Sequence, residues 1–207
     1  MVSLIVNGRP YESSAASLLE LLYEAEGYLD EGHAISRVLV DGAETHLDAG
    51  LLQTPTDAIH EVRVESARVK SLLLLGIGLM RQFLLETSAG IGAVALSYRM
   101  SRTAEGDDAL APVLAGLENL LEMLQGVNES YPRALLALDD DVIGLDLKMR
   151  ELSRTLRTIR AARERSDWTQ TADILDHQLA PAAQEWREIL GQLAVEIEKA
   201  KERGRGV

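Results

Sequence analysis

The sequence contains no cysteine, which excludes disulfide bonds, thiolate zinc sites, iron–sulfur ligation and a cysteine nucleophile. Aromatic residues make up only 4% of the chain, so we expect a core built from Leu, Val, Ile and Ala. A phosphate-binding glycine loop, a G-x-S-x-G nucleophile elbow and an H-E-x-x-H zinc motif are all missing. We therefore predict a protein that is not an enzyme and that holds no cofactor.

Long uninterrupted hydrophobic segments are also missing. The N-terminus lacks the basic start and apolar stretch of a secretory signal. The longest uncharged apolar run, residues 71–80, would rise only about 15 Å as a helix, half the thickness of a bilayer core. Arg81 and Glu86 interrupt the wider apolar stretch. We expect a cytoplasmic protein without stable membrane insertion, and we leave open whether Leu72–Leu96 touches a membrane surface.

The charge is strongly acidic and unevenly distributed. The formal net charge is −12, from 33 acidic and 21 basic side chains, and such a protein repels nucleic-acid phosphates. Residues 1–66 contain 12 acidic and 3 basic groups, whereas residues 67–207 contain 21 and 18. The basic residues are 17 Arg and 4 Lys, a bias typical of a GC-rich prokaryotic genome. We predict a domain boundary between residues 66 and 67 and no nucleic-acid partner.

The first 66 residues predict two hairpins around one helix. Asn7-Gly8 and Asp41-Gly42 are hairpin turn sequences, and each follows a short strand-like run. Ser17, with Glu20 three residues later, predicts the start of a helix through a capping box. The order is hairpin, helix, strand, a turn-rich connection and a closing strand.

This order resembles the β-grasp of ubiquitin-like proteins, and most closely the small sulfur-carrier type. The resemblance is carried by VSLIVNGRPYE, by the SLLELL helix start, by VLVDGAE and by the closing HEVRVES. Carriers of that type end in a free Gly-Gly tail, whereas here the closing strand continues into Ser66-Ala67-Arg68. We therefore expect the β-grasp to act in docking or ligand recognition and not as a sulfur carrier.

Residues 67–207 predict four amphipathic helices joined by short loops, which suggests an antiparallel four-helix bundle. The first helix is expected over about residues 69–100, with a kink or break near Gly90. Its predicted apolar face includes Leu72, Gly76, Leu79, Phe83, Ile91, Ala95 and Tyr98. The predicted fold class is thus α+β, a small N-terminal β-grasp domain followed by a helical bundle.

The third predicted helix contains the most regular repeat of the chain. Its apolar residues step by four and three, as in a coiled coil: Leu138, Val142, Leu145, Met149, Leu152, Leu156 and Ile159. Such a seam packs either inside the chain or against a second copy, so we predict a possible homo-oligomer through the Leu138–Ile159 seam. In the fourth helix, Pro181 is expected to cause a bend.

Two groups of residues are candidate binding sites. Asp173 and His177 are four residues apart on a predicted helix, a spacing that can hold a divalent metal, although a solvated surface pair fits the same spacing. The third helix also bears a basic island in which Arg150, Arg154 and Arg157 lie opposite the seam. These arginines are a solvated face, a contact for an acidic surface such as the chain's own N-terminal domain, or, as the least favoured alternative, a contact for RNA or another polyanion.

The two tryptophans, Trp168 and Trp186, are 18 residues apart, which is five turns of an unbroken helix. They are either core anchors or a two-point docking surface, since Trp is enriched at binding hot spots. We therefore predict a non-enzymatic cytoplasmic adaptor or assembly protein that contacts a protein partner. The alternative is a ligand- or metal-responsive regulatory protein with its site between the β-grasp and the bundle.

Overall fold

The computed structural model of the protein describes residues 2–45, 49–141 and 144–200 and combines one five-stranded sheet with long helices. The α+β fold class predicted from the sequence is confirmed. The chain divides into two compact units, each with its own hydrophobic core, and the boundary lies between Leu72 and Leu73. This is later than the predicted boundary at residue 66, because the last strand continues to Arg68 and the next helix begins at Val69.

The first unit is a mixed sheet with one main helix. Its strands are β1 (Ser3–Val6), β2 (Arg9–Glu12), β3 (His33–Val40), β4 (Ala43–Glu44) and β5 (Glu61–Arg68), and its helices are α1 (Leu18–Glu26) and the short α2 (Ala49–Leu52). The strand order is β2-β1-β5-β3-β4. The central pair, β1 and β5, is parallel, and the other pairs are antiparallel.

Local sequence chemistry explains the turns and the helix start of this unit. Asn7 and Asp41 adopt φ values of 49° and 50°, and the glycine after each is also left-handed, as a two-residue hairpin turn requires. The Ser17 hydroxyl accepts a hydrogen bond from the Glu20 amide at 3.3 Å, as the predicted helix start requires, and α1 ends before Gly27. The Glu20 carboxylate reaches back to the Ala16 amide, one residue before the position it would bond in a capping box.

The second unit consists of helices. They are α3 (Val69–Arg99), α4 (Thr103–Ser130), α5 (Pro132–Asp141), α6 (Leu145–Glu164), α7 (Trp168–Ile174) and α8 (Ala180–Lys199). A π-helix, Leu175–Leu179, joins α7 to α8 without a loop. The break in α geometry therefore directly precedes Pro181, close to where the sequence predicted a bend.

Two features of the helices differ from the sequence prediction. The break considered near Gly90 does not occur, because α3 is continuous through that residue. The predicted third helix is two helices, since Gly144 adopts a φ of +78° before α6 begins.

The seam is used inside the chain. Leu138, Leu145, Leu152, Leu156 and Ile159 are buried in the core of the second unit, and Met149 packs against that core. Val142 lies outside the described residues. A second copy placed on this seam would therefore have to displace the chain's own core.

Candidate functional site

The outward face of α3 presents apolar side chains at a regular spacing. Exposed residues that are seven positions apart form two columns along the helix. The first column contains Leu75, Gln82, Ala89 and Leu96. The second contains Leu79, Glu86, Ala93 and Met100, of which Met100 lies just beyond the end of the helix. The four large apolar members are between 49% and 65% exposed. In the middle of the face, the Gln82 amide donates to the Glu86 carboxylate at 2.7 Å.

The opposite face of α3 is buried and has the same period. Ile77, Leu84, Ile91 and Tyr98 are each at most 2% exposed and lie seven residues apart. The predicted apolar face was therefore wrong for Leu79, which lies on the outside. A helix that is apolar on both sides has no hydropathy contrast from which the buried side could be chosen.

By length and composition, α3 would also be long and apolar enough to cross a membrane. Its most hydrophobic window of 18 residues has a mean hydropathy of 1.3, and 17% of that window is buried in the protein. It is the only such helix in the described part of the chain.

The basic island on α6 is largely neutralised by carboxylates of the same chain. Arg150 pairs with Asp146 at 2.5 Å, Arg163 with Asp107 at 2.8 Å, and Arg160 with Glu118. Arg154 and Arg157 have no ion pair and no side-chain hydrogen bond among the described residues, and both are exposed. Of the three arginines predicted to form an interaction surface, two are therefore unpaired.

A groove of about 320 Å³ lies beside Arg154, between α6 and the segment that runs from the π-helix into α8. Its lining includes the buried Leu152 and Trp186 together with Arg154, Thr155 and Gln178. Lys148, also in the lining, contacts Glu185 at 3.0 Å and Glu151 at 3.5 Å. The hydrogen bond to Glu185 raises the pKa of the Lys148 ammonium group, so that group stays positively charged.

The tryptophans are core residues and do not form an exposed docking surface. Trp186 is 2% exposed, and its ring belongs to the core. Trp168 is half-buried and stacks on Tyr98, with ring centroids 5.6 Å apart and planes 7° from parallel. The π-helix between them also disrupts the five-turn alignment that their spacing suggested. Trp186 still belongs to a candidate site, because it lines the groove.

The structure does not bring Asp173 and His177 together as a metal site. Arg99 donates to Asp173 at 2.9 Å and to Asp176 at 2.5 Å, so the carboxylate of Asp173 is already bound to a guanidinium. His177 is exposed. Within residues 2–45, 49–141 and 144–200, no group of three or more metal-ligating side chains occurs.

A partly buried polar network ties three helices, α3, α4 and α6, together near Tyr98. The Tyr98 hydroxyl donates to Asp107 at 2.7 Å, and Arg163 donates to the same oxygen at 2.9 Å. Burial, and secondly the hydrogen bond to Asp107, raises the pKa of the Tyr98 phenol. The phenol is thus held in its neutral form, which suits a structural role and not that of a base.

Sequence reasoning missed the outward columns of α3, although their spacing of seven residues is visible in the sequence. It also missed the pairing of Arg99 with the carboxylates of Asp173 and Asp176, which follow it by 74 and 77 positions. No local sequence pattern indicates such a pairing. The unpaired state of Arg154 could not be predicted from local sequence either, because it depends on which distant carboxylates reach α6.

Comparison with known protein families matches residues 80–189, just over half of the chain, to a family described as "Domain of unknown function (DUF8042)". The match begins within α3 and ends within α8, so it includes the groove and most of the outward columns. No curated protein matches the chain, and no solved structure matches it.

Proposed function

We propose that this chain, which belongs to the family described as "Domain of unknown function (DUF8042)", is a non-enzymatic adaptor or assembly protein. It acts through protein–protein contacts. The observation that carries the proposal is the outward face of α3, where large apolar side chains stay exposed over two columns. Exposed apolar patches of this kind are typical of contact surfaces.

The occupant that fits this face is an amphipathic helix of a protein partner. Seven-residue repeats are the pattern by which helices pack along their length. The small side chains of Ala89 and Ala93 leave room for a partner helix to approach closely. Large apolar side chains lie at both ends of the face, Leu75 and Leu79 at one end and Leu96 and Met100 at the other. The face from Leu75 to Met100 is about 38 Å long at 1.5 Å per residue, room for a partner helix of seven turns.

A helical partner suits this face better than lipid does. Gln82 and Glu86 lie at the middle of the face and are exposed, and a carboxylate there would be costly inside a bilayer. Their mutual hydrogen bond satisfies only part of their polar capacity, and water or a polar side chain of the partner would satisfy the rest. The proposal accordingly treats the protein as cytoplasmic.

Finer features of the architecture belong to the same proposal. The strand order β2-β1-β5-β3-β4, with α1 between β2 and β3, supports the resemblance of the first unit to a ubiquitin-like β-grasp. The long helical stretches of the second unit support an antiparallel bundle. In this interpretation each unit offers the adaptor a separate surface.

The test is affinity capture of the full chain from its native lysate, read by mass spectrometry. We compare the wild type with Leu79→Glu and Leu96→Glu, two changes on the outward face of α3. The matched control is Leu147→Glu, which alters a leucine of α6 that is 52% exposed. We expect both α3 variants to lose a partner that the control retains.

The mass in solution, measured by light scattering, separates a foreign partner from a second copy. A dimer that is lost only in the α3 variants would identify the partner as this chain itself. A strictly monomeric protein that captures nothing would contradict the adaptor function. Binding of the wild type to lipid vesicles without any captured protein would contradict it as well.

A further inference from the structure

The outward face of α3 has a pattern of side-chain sizes that is complementary to its own reverse. Its two columns alternate with steps of four and three residues, the spacing of a coiled-coil contact. Along the helix the order is two leucines, then Gln82 and Glu86, then two alanines, then a leucine and a methionine. Large apolar side chains thus lie at both ends, while long polar and small side chains share the middle.

The two ends of this face match each other when a second copy of the helix runs in the opposite direction. With the centre of the pair between residues 87 and 88, Leu75 lies opposite Met100 of the second copy. In the same arrangement Leu79 lies opposite Leu96. These four side chains are between 49% and 65% exposed, so each exposed apolar group would be covered by another one.

The middle of the face also favours the antiparallel direction. There Gln82 lies opposite Ala93 of the second copy and Glu86 lies opposite Ala89, so each long polar side chain meets a methyl group and extends past it to water. The two copies of Glu86 are offset by three residues, about 4.5 Å along the axis. A parallel pair would instead place Glu86 directly opposite its own copy, a contact between like charges.

One flank of the face has the same complementarity. Leu85 is 42% exposed beside the two columns, and the exposed Gly92 lies seven residues further along the same flank. A Cβ atom at Gly92 would have no neighbour closer than 3.9 Å, so this flank is open at the glycine. In the antiparallel pair Leu85 of each copy comes close to Gly92 of the other, where the missing side chain leaves room for it.

We infer that α3 packs antiparallel against α3 of a second copy of this chain, with a two-fold axis between residues 87 and 88. The same surface then serves both copies, as a two-fold interface requires. The inference rests on the proposed function, in which this face binds a helix, and it names that helix. A face about 38 Å long and about 10 Å wide covers about 400 Å² on each copy, so we expect a weak, reversible dimer.

The first measurement is sedimentation equilibrium of the full chain over a series of concentrations. We expect the average mass to rise from that of one chain toward that of two between about 1 μM and about 1 mM, the range of weak affinities. Leu79→Glu should weaken the dimer at least about tenfold, because a carboxylate would be buried against Leu96. The matched control, Leu147→Glu on α6, should change the affinity less than about twofold.

The second measurement determines the direction of the helices by disulfide cross-linking. The chain contains no cysteine, so introduced cysteines report contacts without background. In the antiparallel pair residue 82 faces residue 93 of the other copy, whereas the two copies of residue 82 are about 16 Å apart along the axis. A disulfide requires Cα atoms within about 7 Å. We expect oxidised Gln82→Cys and Ala93→Cys to cross-link when mixed and neither to do so alone, and Leu147→Cys to cross-link with neither.

Several outcomes would overturn the inference. They are a protein that stays monomeric at the highest concentration, equal weakening by Leu79→Glu and Leu147→Glu, or cross-linking within Gln82→Cys alone, which would indicate a parallel pair. Binding of phosphatidylglycerol vesicles by a monomeric chain would also overturn it. A monomer that captures a foreign helical protein through α3 would contradict the dimer and leave the adaptor function standing, whereas a monomer that captures nothing would contradict both.

Discussion

The contact between Gly116 on α4 and Phe83 on α3 allows a sharp test of how the second unit is packed. A Cβ atom added at Gly116 would lie 2.7 Å from Cε1 and from Cε2 of the Phe83 ring, and closer still to Cζ. Gly126, on the same helix, has no atom within 4 Å of such a Cβ. The two glycines therefore differ in steric environment and not in secondary structure.

The expected magnitudes follow from two opposing effects. Replacing a helical glycine with alanine raises the free energy of unfolding by about 1 kcal/mol. Inserting a methyl group into occupied space lowers it by about 1–3 kcal/mol. We expect Gly126→Ala to stabilise the protein by about 1 kcal/mol, and Gly116→Ala to destabilise it by about 1 kcal/mol, because the ring must move.

The assay is urea unfolding followed by circular dichroism at 222 nm, a signal that arises mainly from the helices. Repeating both changes in a Phe83→Ala background completes a double-mutant cycle. Without the ring, Gly116→Ala should change sign and stabilise by about 1 kcal/mol. The reasoning would be refuted if Gly116→Ala were as stable as Gly126→Ala, or if its effect were the same with and without the Phe83 ring.

Three further predictions concern single residues. Leu84→Ala should cost about 3 kcal/mol of unfolding free energy, because Leu84 is fully buried, whereas Leu79→Ala on the outward face should cost less than about 0.5 kcal/mol; equal costs in urea unfolding would contradict the assignment of the faces. Tyr98→Phe should cost about 1 kcal/mol at pH 8. That difference should shrink as the pH rises above 10, since the phenol ionises in the unfolded chain while the raised pKa keeps it neutral in the folded one; a difference that stays constant would contradict the buried hydrogen bond. Asp41→Ala should cost about 2 kcal/mol, because one carboxylate oxygen accepts from the amides of His60 and Glu61, and a thermal unfolding midpoint equal to that of wild type would contradict this role.

The structure of the first unit was largely predictable because its signals are local. Asn7 and Asp41 tolerate positive φ, and a glycine follows each, so the two hairpin turns are fixed by four residues. The pairing of β1 with β5 joins strands separated by more than fifty residues, and no local pattern specifies it.

The candidate sites were much less predictable. The basic island on α6 and the positions of both tryptophans were visible, yet their roles depended on burial and on distant partners. Trp186 lies in the core, whereas Arg154 is unpaired because the carboxylates that reach α6 from α4 and α8 contact its neighbours. Asp173 was proposed for a metal, but Arg99, at the end of α3, binds it instead.

The sequence by itself determined the fold class, the hairpin turns, the start of α1 and the heptad seam of α5 and α6. Each depends on interactions between residues a few positions apart, such as turn geometry, capping and helical period. Only the tertiary structure decided which face of α3 is buried, where the seam packs and which arginines remain unpaired. Those outcomes depend on the side chains that other helices bring into contact, and an apolar or charged helix offers several equivalent faces until its neighbours occupy one of them.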